Sequence, residues 1–220
     1  MKRLLLLSFI GLFAQLMISC YPGGADDVDE MDVAITNYDK RADFTKYTTF
    51  SLPDTIVYFV AKGETPNHKF DAQILDLVKK NFEDKGYTYM EQTEINQPSF
   101  IVTVSAFSNV NYYYGANYWY DYWGWYPGWN WIWGSGWGPG WGPSYPWYPV
   151  AVYSYRSGSI VIDMIATDAT TTSTKKVPVL WSGVADGILQ GSEQSILNRM
   201  TSTINQCFTQ SPYLKSGNAQ

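Results

Sequence analysis

The spacing of apolar residues changes period several times along the chain, and each change marks an element. Val33 to Tyr38 alternates apolar and polar side chains, the two-residue period of a half-buried strand. Asp39 to Tyr47 is polar and turn-like, and Thr48 to Leu52 reads as a short strand that stops before Pro53. Ile56 to Ala61 is an apolar piece that extends the sheet or crosses its face. After Pro66-Asn67 the period becomes helical: Phe70, Ile74, Leu77, Val78 and Phe82 share one face. Lys85-Gly86 closes that helix, and Tyr87 to Met90 is extended again. Phe100, Val102, Val104 and Ala106 alternate with their neighbours, as do Ile160, Ile162, Met164 and Ala166. A Thr-rich turn at 167–176 leads to a returning strand through Val177, Val179, Trp181, Gly183 and Ala185, exposed or bulged near Pro178. Ser192 is placed to cap a last helix whose face carries Ile196, Leu197, Met200, Ile204, Cys207 and Phe208, and Pro212 bars its continuation. The pattern predicts an α+β domain: a mostly antiparallel sheet, two amphipathic helices on one face, and a long aromatic, Gly- and Pro-rich insertion between two strands.

The first nineteen residues follow a different rule. Lys2 and Arg3 precede an apolar stretch from Leu4 to Met17, and small residues lead to Cys20. That charge–apolar–small layout is a cleaved export signal, too short to span a bilayer comfortably. Leu16-Met17-Ile18-Ser19-Cys20 resembles a bacterial lipobox. The resemblance implies that residues 1–19 are removed and that Cys20 is acylated, which anchors the chain to a membrane without spanning it. The expected location is the outer membrane, on its periplasmic face or at the cell surface. Residues 20–32 hold Pro22, Gly23, Gly24 and the acids Asp26, Asp27, Asp29, Glu30 and Asp32, a solvated tether ahead of a domain at 33–212 and a tail at 213–220.

Charge and cysteine count narrow the function. Removing Lys2 and Arg3 with the leader leaves 13 basic against 20 acidic side chains, a formal charge of −7. An acidic chain is poorly suited to nucleic acid, which needs a basic patch, or to anionic lipid heads. With Cys20 lipidated, Cys207 has no cysteine partner in the chain, so a disulfide scaffold is excluded and a buried small apolar side chain is expected there.

Residues 112–155 stand apart from this framework. Nine of the ten tryptophans lie there: Trp119, Trp123, Trp125, Trp129, Trp131, Trp133, Trp137, Trp141 and Trp147. Repeated Gly and Pro set up successive turns between them. Four readings remain open: stacking on envelope glycans, residence at the membrane interface, a protein-binding surface, and a self-packed loop that covers a sheet face.

Catalytic chemistry has little material to work with. His68 is the sole histidine and opens the first helix, so a histidine-based triad or zinc site lacks partners. Asp39 and Asp43 share a loop and could hold a cation, but their spacing matches no calcium loop. Asp163 on a strand and Asp168 in the next turn are separated acids of the kind glycoside hydrolysis uses, as any chain of this size offers. No catalytic residue, metal ligand or cofactor is expected.

Several motifs occur together in order. Asp43-Phe44-Thr45-Lys46-Tyr47-Thr48-Thr49-Phe50 follows Asn37-Tyr38-Asp39; Lys85-Gly86-Tyr87 ends the first helix; Leu180-Trp181-Ser182-Gly183-Val184-Ala185 lies in the hairpin begun by Gly158-Ser159-Ile160-Val161-Ile162-Asp163. Over about residues 33–212 the chain resembles the DUF4136 family of bacterial envelope lipoproteins. The resemblance implies a lipid-tethered envelope domain and carries no activity or active site with it. The expected function is a non-enzymatic envelope lipoprotein whose aromatic protrusion contacts a glycan, the membrane interface or a protein. The alternatives are a structural or assembly partner of an outer-membrane complex and, behind it, a glycan hydrolase.

Overall fold

A computed structural model describes residues 32–60, 63–91, 97–107, 142–144, 158–167, 176–186 and 192–219, all within one unit, Asp32–Gln220. The leader, Cys20 and the aromatic residues named above lie outside the described residues. Among the described residues there are eight strands: β1 (Val33–Tyr38), β2 (Thr49–Ser51), β3 (Val57–Phe59), β4 (Thr88–Tyr89), β5 (Phe100–Phe107), β6 (Gly142–Ser144), β7 (Ser159–Ala166) and β8 (Lys176–Asp186). The helices are α1 (Asp71–Asp84) and α2 (Glu193–Thr209). Among the described residues no helix is long and apolar enough to cross a membrane.

The order β1-β8-β7-β5-β2-β4 makes the main sheet, with β3 also on β5 and short β6 alongside the start of β8. The expectation of a mostly antiparallel sheet is wrong: the sheet is mixed. β1/β8, β8/β7 and β7/β5 are antiparallel, whereas β2/β5, β3/β5, β2/β4 and β6/β8 are parallel. The cause lies in the connections. The chain between β2 and β4 contains α1, a crossover that returns it to run in the same direction. Apolar alternation reports which face a residue occupies and carries no signal of strand direction.

β2 and β3 lie end to end along β5, with Phe50 opposite Phe100 and Val57 opposite Ser105. The break between them around Pro53 adds two residues relative to β5. The irregularity expected near Pro178 falls slightly later. Met164 pairs with Trp181 but Ile165 pairs with Val179, so Leu180 is the extra residue of a bulge. The bulge places two consecutive side chains, Leu180 and Trp181, in the same buried cluster.

The core forms where both helices meet one sheet face. Phe100, Val102, Val104 and Ala106 of β5 and Ile160, Ile162, Met164 and Ala166 of β7 meet Ile74, Val78 and Phe82 of α1 and Met200, Ile204, Cys207 and Phe208 of α2. Trp181 is fully buried against the edge of Phe82 and 5.1 Å from the Phe208 ring centroid, and its Nε1 donates to Ser211 Oγ at 2.9 Å. Its indole lies over Gly183, where a Cβ would stand 2.5 Å from a ring carbon. This contact accounts for the glycine two positions after the tryptophan.

Helix ends follow their sequence signals. Ser192 Oγ accepts from Ser195 N–H at 3.3 Å, and Asn67 caps the turn that leads into α1. Gly86 has φ +86°, and a Cβ there would meet Ala219 Cβ at 2.6 Å. The C-terminal residues thus return to the fold. Leu214 is fully buried, Tyr213 stacks on Tyr38 at 3.8 Å, and Ser216 N–H donates to Lys85 O at 3.0 Å.

Asp32 departs from the solvated run expected of the tether. Its carboxylate accepts from Arg199 Nε at 2.7 Å and from the same guanidinium's terminal nitrogen, and the two side chains are 8 % and 4 % exposed. This bidentate pair fixes the point where the tether enters the domain.

Candidate functional site

The described residues open a pocket at the end of the sheet where β5 stops and β7 begins. Its volume is about 200 Å³. Phe70 from the turn before α1, Ile74 from α1, Ile196 and Met200 from α2, and Ala106, Phe107 and Ile160 from the sheet make its walls. These elements converge there because α1 and α2 both start at this end, where Lys69 and Glu193 pair across the two starts. Tyr58, Asn67 and Ser159 stand at the polar part of the lining.

Tyr58 belongs to a small polar cluster. Its hydroxyl donates to Asn67 O at 2.9 Å and contacts Asp71 Oδ1, while His68 Nδ1 lies 2.8 Å from Asp71 Oδ2. The Tyr58 ring meets the His68 ring edge-on at 4.7 Å. Burial, reinforced by Asp71, pushes the Tyr58 phenol well above its ordinary value, so it stays protonated as a donor. His68 is largely exposed and its partner is the Asp71 carboxylate. Nearby, Ser159 Oγ donates to Asp186 Oδ1 at 2.5 Å.

The other residues singled out in the sequence take structural roles. Cys207 is fully buried, its Sγ 3.5 Å from Val184 O, and burial pushes its thiol up to about 12. Asp39 is gripped by Arg41 through two side-chain hydrogen bonds of 3.0 Å, which hold its carboxyl below the ordinary value. Asp43 caps the turn Phe44–Lys46 and accepts from Thr45 Oγ1 at 2.6 Å. Both loop acids are therefore engaged by their own neighbours. Among the described residues no group of three His, Cys, Asp or Glu side chains could hold a metal ion. Asp163 is buried in the sheet, and Asp168 lies outside the described residues.

The chain that holds the aromatic segment leaves and re-enters the sheet at this end, and β6 within it pairs with the start of β8 at the opposite end. Gly158 N–H donates to Phe107 O at 2.7 Å, so the chain departs after β5 and returns before β7 at a single neck. The pocket walls include residues on both sides of that neck. Nothing in the sequence singles out Tyr58 or Asp71. Tyr58 sits in an ordinary apolar run, and Asp71 reads as a first-turn acid of a helix.

Fold and site together define a small α+β domain with a mixed sheet, one helical layer and an apolar pocket at the sheet end. The chain belongs to the DUF4136 family, a domain of unknown function, whose model matches residues 34–213. A crystal structure of a DUF4136 family protein from Bacteroides thetaiotaomicron is similar to it, with 29% identity and a TM-score of 0.63 over 88% of this chain and 100% of that one. Weaker likenesses are to a PelC dodecamer from Paraburkholderia phytofirmans (8% identity, TM-score 0.40, 84% of this chain and 98% of that one) and a PDZ domain protein from Parabacteroides distasonis (13%, 0.39, 84% and 37%). Neither weaker likeness bears on function. No curated protein matches the chain.

Proposed function

We propose that this chain is a lipid-anchored envelope protein without catalytic activity, whose aromatic segment 112–155 contacts a component of the envelope. Acylation at Cys20 holds it at the outer membrane, and residues 21–31 space the domain from the anchor. At about 3.5 Å per residue an extended tether of this length reaches roughly 40 Å. Asp32, locked to Arg199, ends that tether.

The observation that carries the reading is the neck. With Gly158 hydrogen-bonded to Phe107, β5 and β7 pair along all eight residues of each strand. The aromatic segment therefore leaves and re-enters beside a complete β5/β7 pairing, and within it only Gly142–Ser144 are described, as β6 on the start of β8. Nine tryptophans on such an insertion offer flat apolar faces with N–H donors at their edges, chemistry suited to sugar rings, lipid–water interfaces or protein hot spots. Cys207, the remaining thiol, is held protonated and buried, which is consistent with a role in packing alone.

The anchor is tested by feeding cells an alkyne-tagged palmitate analogue. The parent chain should take up label and sediment with membranes, and Cys20→Ala should lose both. An unlabelled parent chain in the soluble fraction would refute the anchor.

A second reading is favoured by burial on the other side of the sheet. Ile101, Thr103, Ser105 and Phe107 of β5, with Val161, Asp163 and Ile165 of β7, face away from the helices, yet each is at most 1 % exposed. On the same face at the edge strand, Val33 and Ile35 are 42 % and 44 % exposed. In this reading the aromatic segment serves as a cover for that face, and envelope contact falls to an assembly partner.

A further inference from the structure

We infer that the pocket between the starts of α1 and α2 is a binding site for a single alkyl chain carried by an uncharged, hydroxylated head, as in a monoacylglycerol. Apolar cavities of about 150 Å³ stay dry and admit benzene, and this one measures about 200 Å³. Its walls are aliphatic and aromatic carbons from both helices and from β3, β5 and β7, with Met200 as an adaptable member. A chain of several methylenes gains by leaving water there.

The polar part of the lining selects the head. Tyr58 touches Asp71, Ser159 touches Asp186, and Glu193 lies one turn before Ile196 on the same helix face. These acids stand behind the pocket, whose described lining holds no charged side chain and has Tyr58, Thr65, Asn67 and Ser159 as its polar members. Lys69 is paired with Glu193, and the His68 ring is turned to Asp71. An anionic head such as a carboxylate or phosphate finds no cationic side chain among the described lining residues. A neutral head with hydroxyl groups meets the uncharged polar groups of Tyr58, Thr65, Asn67 and Ser159.

The test uses the full chain and a neutral naphthylamine dye that brightens in apolar surroundings. The dye should bind, monooctanoylglycerol should displace it, and octanoate should displace it far less well at neutral pH. Displacement by the monoacylglycerol below its aggregation point marks a free ligand as the source. Displacement only by vesicles containing it marks the bilayer. Ala106→Phe fills the pocket from the sheet and Ile196→Trp fills it from α2. Each buried methylene is worth roughly fourfold in affinity, so excluding two or three weakens binding by about 15- to 60-fold. Both variants should unfold no earlier than the parent chain on heating, because they occupy empty space. If either proves unstable, Ile74→Ala supplies an independent readout: it lengthens the pocket and should move the preferred chain from eight carbons towards ten. Binding that survives both filled variants, equal displacement by octanoate, or a chain-length preference unmoved by Ile74→Ala would overturn the assignment.

Discussion

Gly183→Ala puts the packing around Trp181 to a quantitative test. The added Cβ would stand 2.5 and 2.9 Å from two carbons of the indole and 3.2 Å from Cys207 Cβ. The first two distances are shorter than side chains tolerate, so something must move. The indole is poorly placed to do so: it is fully buried, it sits between Phe82 and Phe208, and Ser211 Oγ holds its Nε1 at 2.9 Å. Overpacking of this kind costs about 1–3 kcal/mol. An opposing effect exists, since an alanine restricts the unfolded chain and stabilises by about 0.4–1 kcal/mol where the backbone accepts it. The steric cost is the larger, so the net change should be destabilising. For a domain of this size it corresponds to a fall in Tm of roughly 2–10 °C. Urea unfolding followed by circular dichroism measures it. The double variant with Trp181→Phe supplies the control: a smaller ring vacates the space, so Gly183→Ala should cost less in that background, with a coupling of about 0.5–3 kcal/mol. A Gly183→Ala protein as stable as the parent, with no coupling to Trp181, would refute the reasoning.

Three further outcomes follow from the same structure. Asp32→Ala removes the carboxylate that Arg199 grips and should cost about 3–5 kcal/mol, far above the roughly 0–1 kcal/mol of a surface pair; thermal unfolding distinguishes the two. Leu214→Ala should cost about 2–5 kcal/mol in urea unfolding, as expected of a core leucine; a loss below about 0.5 kcal/mol would show that the tail is ornamental. Stability should fall as pH rises from about 9 to 12. The Cys207 thiol, ordinarily 9.0, is pushed up to about 12 by burial, so the unfolded chain ionises first and the stabilisation present below that window is lost through it. Buried Tyr58 and Tyr87 act in the same direction higher up. Cys207→Ala should flatten the first part of the decline in urea midpoints between pH 8 and 10.

The elements themselves were legible wherever one period persisted over eight or more residues. α1 was marked by Phe70 through Phe82 and closed by Gly86, α2 began at its Ser192 cap, and β5 and β7 showed unbroken alternation. Strand direction was not legible, because alternation is the same read either way, and the parallel pairs of β2, β3 and β4 were missed. The two-residue β4 and three-residue β3 owe their form to partners distant in the chain. The bulge at Leu180 was anticipated in kind from Pro178 but misplaced, since its position depends on which side chains the core can accept. Asp32 read as one more solvated acid because its partner lies 167 residues away. The candidate pocket was invisible for the same reason: its walls come from both helices and three strands, each presenting ordinary apolar residues. Sequence did carry the aromatic segment, whose composition needs no partner to be noticed.

The claim that matters most is that the aromatic segment is a contact surface, and its tryptophans report on it directly. Trp181 is buried and hydrogen-bonded, so it contributes a constant, shielded background to emission. The mature chain from residue 20 is measured by fluorescence and acrylamide quenching alone, with lipid vesicles, and with peptidoglycan fragments. The account predicts red, readily quenched emission in buffer that shifts blue and gains protection with one of these additives. Emission already blue and shielded in buffer, unchanged by either additive, would contradict it and assign the segment to covering its own sheet.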